Sequence, residues 1–255
     1  MGCTGKRGEG TLKPQAIQRL TARGPTQRAG VDYHDTYAPV CGEESWRLLI
    51  SIALTYDMLV SQYDIEGTFL NAAIQEELYV KDQHATRTRA WKLWKSLYGT
   101  KQAAHNWDRV IDNVLQRLGF AQCPDDPGLY FRQVDGLVIT IHVDDLLCVF
   151  RSATIRQEWE TAVREHFTLE ERGLLSRFVG MGIIWDHSNR TATVMGDRAI
   201  MALAKGWQIT KNRPHHISLL KRTMLGRLLF IARMWRPDIR DAVNRLCIKA
   251  KCHRC

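Results

Sequence analysis

Asp144 and Asp145 stand side by side in the run Ile139–Phe150, whose other residues are mostly apolar and often β-branched. Such a run reads as a buried strand. An ionised carboxylate in a buried strand is costly unless it is paired or holds a metal ion, and two adjacent ones also repel each other. A strand, a tight turn at the Asp pair and a second strand would carry both carboxylates to the tip of a hairpin. Taken alone, the pair is equally well read as an Asp-rich turn without chemistry. A further carboxylate, Asp64, falls near the end of a short apolar segment that turns at Gly67.

The elements around these carboxylates can be read from periodicity. Glu43–Val60 has helical spacing, with Trp46, Leu49, Ile52, Ala53 and Tyr56 on one face. Glu43 and Glu44 suit its first turn. Leu78–Lys81 reads as a strand and Thr86–Arg89 as a loop. A helix is expected from Ala103 to Leu118, closed by Gly119, with Trp107, Ile111, Val114 and Leu118 as its core face. Leu129–Phe131 and Leu137–Ile141 are expected strands, and Thr154–Phe167 an amphipathic helix. Arg177–Trp185 and Thr191–Met195 suggest a hairpin around Ser188-Asn189. Leu219–Met234 and Asp238–Lys251 suggest two helices separated by Pro237. Strands and helices alternate without regular βαβ spacing, which predicts an α+β fold with helices on one face of a sheet.

The chain has 255 residues and a net charge of +9 that is unevenly placed. Residues 1–150 carry 16 Lys+Arg against 18 Asp+Glu, a net of −2; residues 151–255 carry 20 against 9, a net of +11. A basic C-terminal part points to a polyanion such as nucleic acid. Seven cysteines, an odd number without a disulfide-type pattern, point to a reducing compartment. Cys252-His253-Arg254-Cys255 lacks partners for a zinc site. Residues 1–15 are Gly- and Lys-rich and expected to be disordered. No apolar run approaches the ~20 residues of a membrane span, and neither a secretory signal nor a membrane partner is expected.

Seven blocks in order carry a family resemblance. They are Arg19-Leu20, Ala22–Gly24 and Thr26-Gln27 leading to Gly30–Tyr33 and Thr36–Val40; Asp64-Ile65 with Phe69-Leu70-Asn71; Ser96–Gly99 and Lys101–Ala103 with Trp107; Asp126-Pro127 with Leu129-Tyr130; Val143–Leu147; Phe178–Gly180; and Gly226 and Leu228 with Arg236–Ile239 and Ala242-Val243. Together they resemble the reverse transcriptase of copia-type LTR retrotransposons, over roughly residues 16–250. The resemblance implies a right-hand polymerase: fingers at 16–60 and 74–100, palm at 61–73 and 101–185, and a thumb or connection at 186–255. It implies RNA-directed DNA polymerisation with two divalent ions, Mg2+ or Mn2+, about 3.5–4 Å apart. Asp64 and Asp144 would bridge the ions, Asp145 would support them, and the Ile65 carbonyl would complete one shell. It further assigns dNTP binding to Arg19, Gly67, Thr68, Phe69, Tyr98, Gly99 and Lys101, with Phe69 excluding a ribose 2′-hydroxyl. Template and primer would meet His142, Val143, Phe178, Val179, Gly180 and Met181. The expected partners are dNTPs and an RNA or DNA template with its primer, and the expected location is intracellular, in a particle or the nucleus.

Several positions depart from the family's usual residues. His142 stands for Tyr, Glu66 for Lys, Ile17 for Lys, Thr100 for Leu, and Ala104-His105 for Pro-Arg. The RNase H, integrase and protease regions of a polyprotein are not part of this sequence. The alternative reading is therefore a catalytically silent fragment that retains only nucleic-acid binding.

Overall fold

The computed structural model describes residues 20–81, 89–186, 188–196, 199–205, 217–234 and 236–252. Arg19, Ile17, the segment 1–15 and most of the loop at 86–89 lie outside the described residues. The chain divides into two compact units, one formed by 1–42 and 63–171, the other by 43–62 and 172–255.

Most of a six-stranded sheet, of order β4-β5-β6-β7-β1-β8, lies in the first unit; residues 59–62 of β1 and 172–173 of β8 are counted with the second. The strands of this sheet are β1 (Leu59–Ile65), β4 (Ala121–Gln122), β5 (Leu129–Arg132), β6 (Leu137–His142), β7 (Asp145–Phe150) and β8 (Leu169–Gly173). Strands β4 to β7 form an antiparallel meander. The chain's first sheet strand, β1, lies between β7 and β8, and its C-terminal end meets the start of both. The Ile65 N–H donates to the Asp144 carbonyl at 3.2 Å, and the Glu66 N–H to the Thr168 carbonyl at 3.0 Å.

Alternation decides which side of the sheet carries the core. Tyr63 and Ile65, then Leu137, Ile139 and Ile141, then Leu146, Cys148 and Phe150 fall two residues apart and join one buried cluster. Helix α2 (Ala103–Arg117) supplies Trp107, Ile111, Val114 and Leu115 to that cluster, and α3 (Ala153–Arg164) supplies Trp159 and Val163. Both helices therefore cover the same face, as the sequence predicts. Trp159 stacks in a tilted array with Tyr63 at 4.9 Å and Phe150 at 5.7 Å. The Tyr63 hydroxyl leaves the apolar cluster by donating to Glu160 at 2.6 Å, and Glu160 also pairs with Arg156 at 2.8 Å. Burial pushes the Tyr63 phenol well above its ordinary range. A two-stranded ribbon, β2 (Tyr79–Lys81) with β3 (Ala90–Lys92), completes this unit.

The second unit holds α1 (Glu43–Thr55), the antiparallel sheet β9 (Arg177–Phe178), β10 (Met181–Asp186) and β11 (Thr191–Met195), then α4 (Ile217–Met234) and α5 (Arg240–Cys252). Pro237 opens a 3₁₀ turn, Pro237–Ile239, just before α5.

Four expectations are corrected. Helix α1 stops at Thr55 rather than Val60, because Asp57 takes a left-handed φ of +53° and the Met58 N–H donates back to the Ala53 carbonyl at 2.8 Å. That is a helix-ending cap usually made by Gly, and an Asp hides it in the sequence. Its buried face is Trp46, Leu49, Ile50 and Ala53, while Ile52 and Tyr56 are exposed. The expected strand Arg177–Trp185 is broken at Val179-Gly180 into β9 and β10. The hairpin turn at the Asp pair is offset by one residue: His142 pairs with Asp145, and the two turn residues are Val143 and Asp144.

Val143 has φ +62°. A β-branched residue in that region is strained, at roughly 1–3 kcal/mol, and persists only when its surroundings hold it. The Trp107 indole N–H does so by donating to the Val143 carbonyl at 2.8 Å. Trp107→Phe keeps a ring in the core and removes that donor. It should lower unfolding stability by about 1–3 kcal/mol in a urea titration followed by circular dichroism.

Asp108, next on α2, has its carboxyl pushed up to about 6 by burial and by the neighbouring Asp112, against the opposing pull of His105. Its folded pKa lies above the unfolded value of about 3.9. Between those pH values the folded state binds more protons, so this group's contribution to stability is full below pH 4 and is lost as pH rises through 6. Asp108→Asn should therefore raise the Tm at pH 7.5, and the difference should close by pH 4.

Candidate active site

The carboxylates sit on neighbouring strand ends because of how β1 and β7 pair. Asp64 is the penultimate residue of β1, and Asp145 is the first of β7. Asp144, in the turn, precedes Asp145, and its carbonyl takes the N–H of Ile65, the residue after Asp64. All three Asp residues are half-buried, at the rim where the apolar strands end. The segment before α1 braces the same hairpin from another side. The Cys41 N–H donates to the Ile141 carbonyl at 3.0 Å, and the Ile141 N–H to the Gly128 carbonyl at 2.8 Å.

After Ile65 the chain turns at Gly67, with φ +60°, into a 3₁₀ turn, Thr68–Asn71. The Thr68 hydroxyl is buried and donates to the Ile65 carbonyl at 2.7 Å. A carbonyl oxygen has two lone pairs, so Ile65 keeps one for a further partner. The Asn71 amide donates to the Glu66 and Gly67 carbonyls at 3.1 and 3.3 Å, which fixes the turn from its far end. Phe69 lies edge-on to Tyr98 with ring centroids 4.8 Å apart. Two residues that the sequence assigns to one nucleotide site, from blocks some 30 positions apart, are thus in contact.

Tyr98 and Gly99 are held by the opening block. The Ala22 N–H donates to the Tyr98 carbonyl at 2.7 Å. Gly99 has φ +89°, and a Cβ there would come within 2.2 Å of the Ala22 carbonyl oxygen; a Cβ on Gly24 would come within 2.3 Å of the Gly99 carbonyl. Only two glycines allow the backbones to cross this closely. The Lys101 N–H donates to the Gln27 side chain at 2.7 Å, while its own side chain belongs to an exposed residue. Gln102 is the residue sequence reasoning missed. It is buried, accepts from Gln27 at 3.0 Å, and donates to the Asp32 carbonyl at 2.9 Å and to Glu76 at 3.2 Å. Nothing in a lone Gln beside a helix start marks it as the junction of three segments. Trp107 was visible as core and as part of a motif block, but not as the partner of Val143; its need for an indole partner was the available signal.

Phe178–Met181 belong to the second unit. Phe178 and Met181 are buried there, flanking the Val179-Gly180 turn. His142 is half-buried at the hairpin, and Arg19 lies outside the described residues.

Among the described residues, no three His, Cys, Asp or Glu side chains converge closely enough to form a metal-binding cluster. The donor set of Asp64, Asp144, Asp145 and the Ile65 carbonyl is nevertheless all hard oxygen, which is the chemistry that Mg2+ requires. No helix among these residues is long and apolar enough to cross a membrane.

A family model described as reverse transcriptase (RNA-dependent DNA polymerase) matches residues 5–221. The chain is similar to the retrovirus-related Pol polyprotein from transposon TNT 1-94 of Nicotiana tabacum, 24% identical over 89% of this chain and 19% of that protein. It is 27% identical to the corresponding polyprotein from transposon RE1 of Arabidopsis thaliana, over 89% of this chain and 17% of that protein. A putative transposon Ty5-1 protein of Saccharomyces cerevisiae is 27% identical over 72% of this chain and 67% of its own length. The chain thus spans about a fifth of the two plant polyproteins. The order of the motif blocks, the strand pairing that joins Asp64 to the Asp144 hairpin, and these similarities agree: the chain belongs to the reverse transcriptase family of copia-type LTR retrotransposons.

Proposed function

We propose that this chain is the DNA-polymerising part of a transposon polyprotein, acting as an RNA-directed DNA polymerase. The observation that carries the reading is the Ile65 N–H bond to the Asp144 carbonyl, which keeps Asp64, Asp144 and Asp145 on adjoining strand ends. In the reaction a primer 3′-hydroxyl oxygen attacks the α-phosphorus of a dNTP, the α–β phosphoanhydride bond breaks, and pyrophosphate leaves. Asp64 and Asp144, with Asp145 and the second lone pair of the Ile65 carbonyl, would hold two Mg2+ ions, for which Mn2+ could substitute. Bound there, the ions would supply Lewis-acid stabilisation of the charge that builds on the phosphoryl oxygens.

The chain's own residues have distinct tasks in this reading. Phe69 and Tyr98 form an aromatic floor for the incoming sugar, and the Phe69 ring leaves no room for a 2′-hydroxyl. The N–H groups that open the Thr68–Asn71 turn, beside Gly67, face the triphosphate as a backbone anion cradle. The resemblance gives Gly99, Lys101 and Arg19 roles toward the same nucleotide. In the first unit His142 and Val143 have the role of meeting template and primer, and in the second the Phe178–Met181 turn has the role of holding a primer end. The right-hand division into fingers, palm and thumb follows the boundaries given by the resemblance. The basic C-terminal part would track phosphate backbones without reading sequence. An intracellular site of action, in a particle or the nucleus, goes with this role.

Glu66 gives a second reading its support. It is exposed beside the nucleotide turn and carries the charge opposite to the family's usual Lys. A copy impaired there would bind template–primer in a salt-dependent way and extend nothing. Primer extension on poly(rA)–oligo(dT) with Mg2+ or Mn2+ decides between the two. The polymerase reading expects dTMP addition by the wild-type chain and none by Asp144→Asn; folded wild-type protein that equals this control overturns it. In an active chain, Phe69→Ala should raise rNTP over dNTP incorporation by roughly tenfold or more, measured as the ratio of kcat/KM values. An unchanged ratio removes Phe69 from that role.

A further inference from the structure

The turn between β9 and β10 is an unusual one to find in this sequence. Phe178 pairs with Met181, and the two residues between them, Val179 and Gly180, have φ of +48° and +78°. Two successive left-handed residues make a hairpin turn that normally takes Asn-Gly. A β-branched Val in its first position is strained, so the turn depends on what grips its ends.

Consecutive residues of α1 grip both ends. Trp46 packs edge-on against Phe178, with centroids 5.9 Å apart, and both rings are almost wholly buried. The next residue, Arg47, places Nη2 3.8 Å from the Met181 sulfur. The same nitrogen donates to the Met234 carbonyl at 2.6 Å. Met234 is the last residue of α4, where unsatisfied carbonyls and the helix dipole favour a cation. The Arg47 guanidinium also lies 5.4 Å from the Trp46 ring centroid, within cation–π range. One turn earlier on α1, Glu43 pairs with Arg233 at 2.8 Å and repeats the tie to α4. The buried Arg47 Nε has no hydrogen-bond partner, so this guanidinium is not placed for its own solvation.

We propose that Arg47 is a positioning residue. It locks the Val179–Gly180 turn to the end of α4 and thereby fixes the geometry with which that turn holds a primer terminus. The inference rests on the reading above for the primer, and is tested apart from it. Arg47→Met keeps most of the apolar stem and removes the donors; Arg47→Lys keeps one donor and the charge. Amide hydrogen exchange of the full chain, read by mass spectrometry, should show exchange at 177–182 about tenfold faster in Arg47→Met, with β5–β7 unchanged, and largely restored in Arg47→Lys. In steady-state extension, the KM for a recessed primer duplex should rise about tenfold in Arg47→Met while the KM for dNTP stays within twofold. Exchange that is unchanged at the turn, or that rises across the whole chain, overturns the proposal. So does a local rise in exchange with an unaltered duplex KM, or with an equal rise in the KM for dNTP. If the wild-type chain extends no primer, the polymerase reading fails on that control alone. Duplex affinity by fluorescence anisotropy then replaces KM, and an affinity equal in wild type and Arg47→Met overturns the proposal.

Discussion

One backbone hydrogen bond, from the Ile65 N–H to the Asp144 carbonyl, sets the register on which the candidate site depends. Side chains in a strand alternate between faces, so a slip of one residue would turn Asp64 over and exchange it with Ile65. The slip is opposed by the core. Tyr63 and Ile65 would leave the buried cluster beneath α2 and α3, and half-buried Asp64 would enter it. Burial of an unpaired carboxylate and exposure of two large apolar side chains act in the same direction, at several kcal/mol each way. The packing face of β1 therefore decides where its polar residue points. Position at the strand end does the rest, since the carboxylate needs to be at the rim of the sheet and not in its middle.

The price of this arrangement is local strain. Val143 in the β6–β7 turn and Val179 in the β9–β10 turn both have positive φ. Each is restrained by an aromatic or cationic neighbour from a helix: the Trp107 indole bonds the Val143 carbonyl, and Trp46 and Arg47 flank the Val179 turn. Neither turn uses the Asn-Gly sequence that would relax it. Strained backbone that the packing over-determines is rigid, and rigidity is useful where a hairpin tip must present groups to a ligand within a fraction of an ångström. The same kind of restraint recurs in each unit, within that unit's own packing.

Much of this was legible in the sequence, for reasons that can be stated residue by residue. The strands around Asp64 and Asp144 are short and apolar, and their two-residue alternation survives in the buried cluster. Helix α2 ends where Gly119 predicts, at φ +84°. The failures have equally specific causes. Asp57 caps α1 where Gly was the expected signal, so five residues were assigned to helix beyond its end. Strand β8 was not foreseen, because Leu169–Gly173 offers Glu-Glu-Arg to solvent and shows no apolar alternation. The role of Gln102 depends on Gln27, Asp32 and Glu76, three partners scattered over the chain, and no local pattern encodes such a junction. The one-residue offset of the Asp hairpin has the same character: the turn is placed by Trp107 and not by its own residues.

The departures from the family's usual residues separate by the same logic. Thr100 donates to the Leu97 carbonyl at 2.8 Å, and Ala104 lines a small cavity of about 20 Å3 with Pro39 and Val40. His105 bonds the Tyr37 carbonyl through Nδ1 at 2.7 Å and so ties the opening block to α2. Thr100 and His105 are tied into the fold by hydrogen bonds of their own, and Ala104 borders the cavity. Glu66 is different: its side chain is exposed, and its backbone N–H bonds the Thr168 carbonyl beside β8. Selection on folding alone would retain the first kind of change and be blind to the second. A chain in this family can therefore keep its core and its strained hairpins while an exposed charge such as that of residue 66 changes sign. Glu66 lies among the residues that the packing of the fold leaves unconstrained.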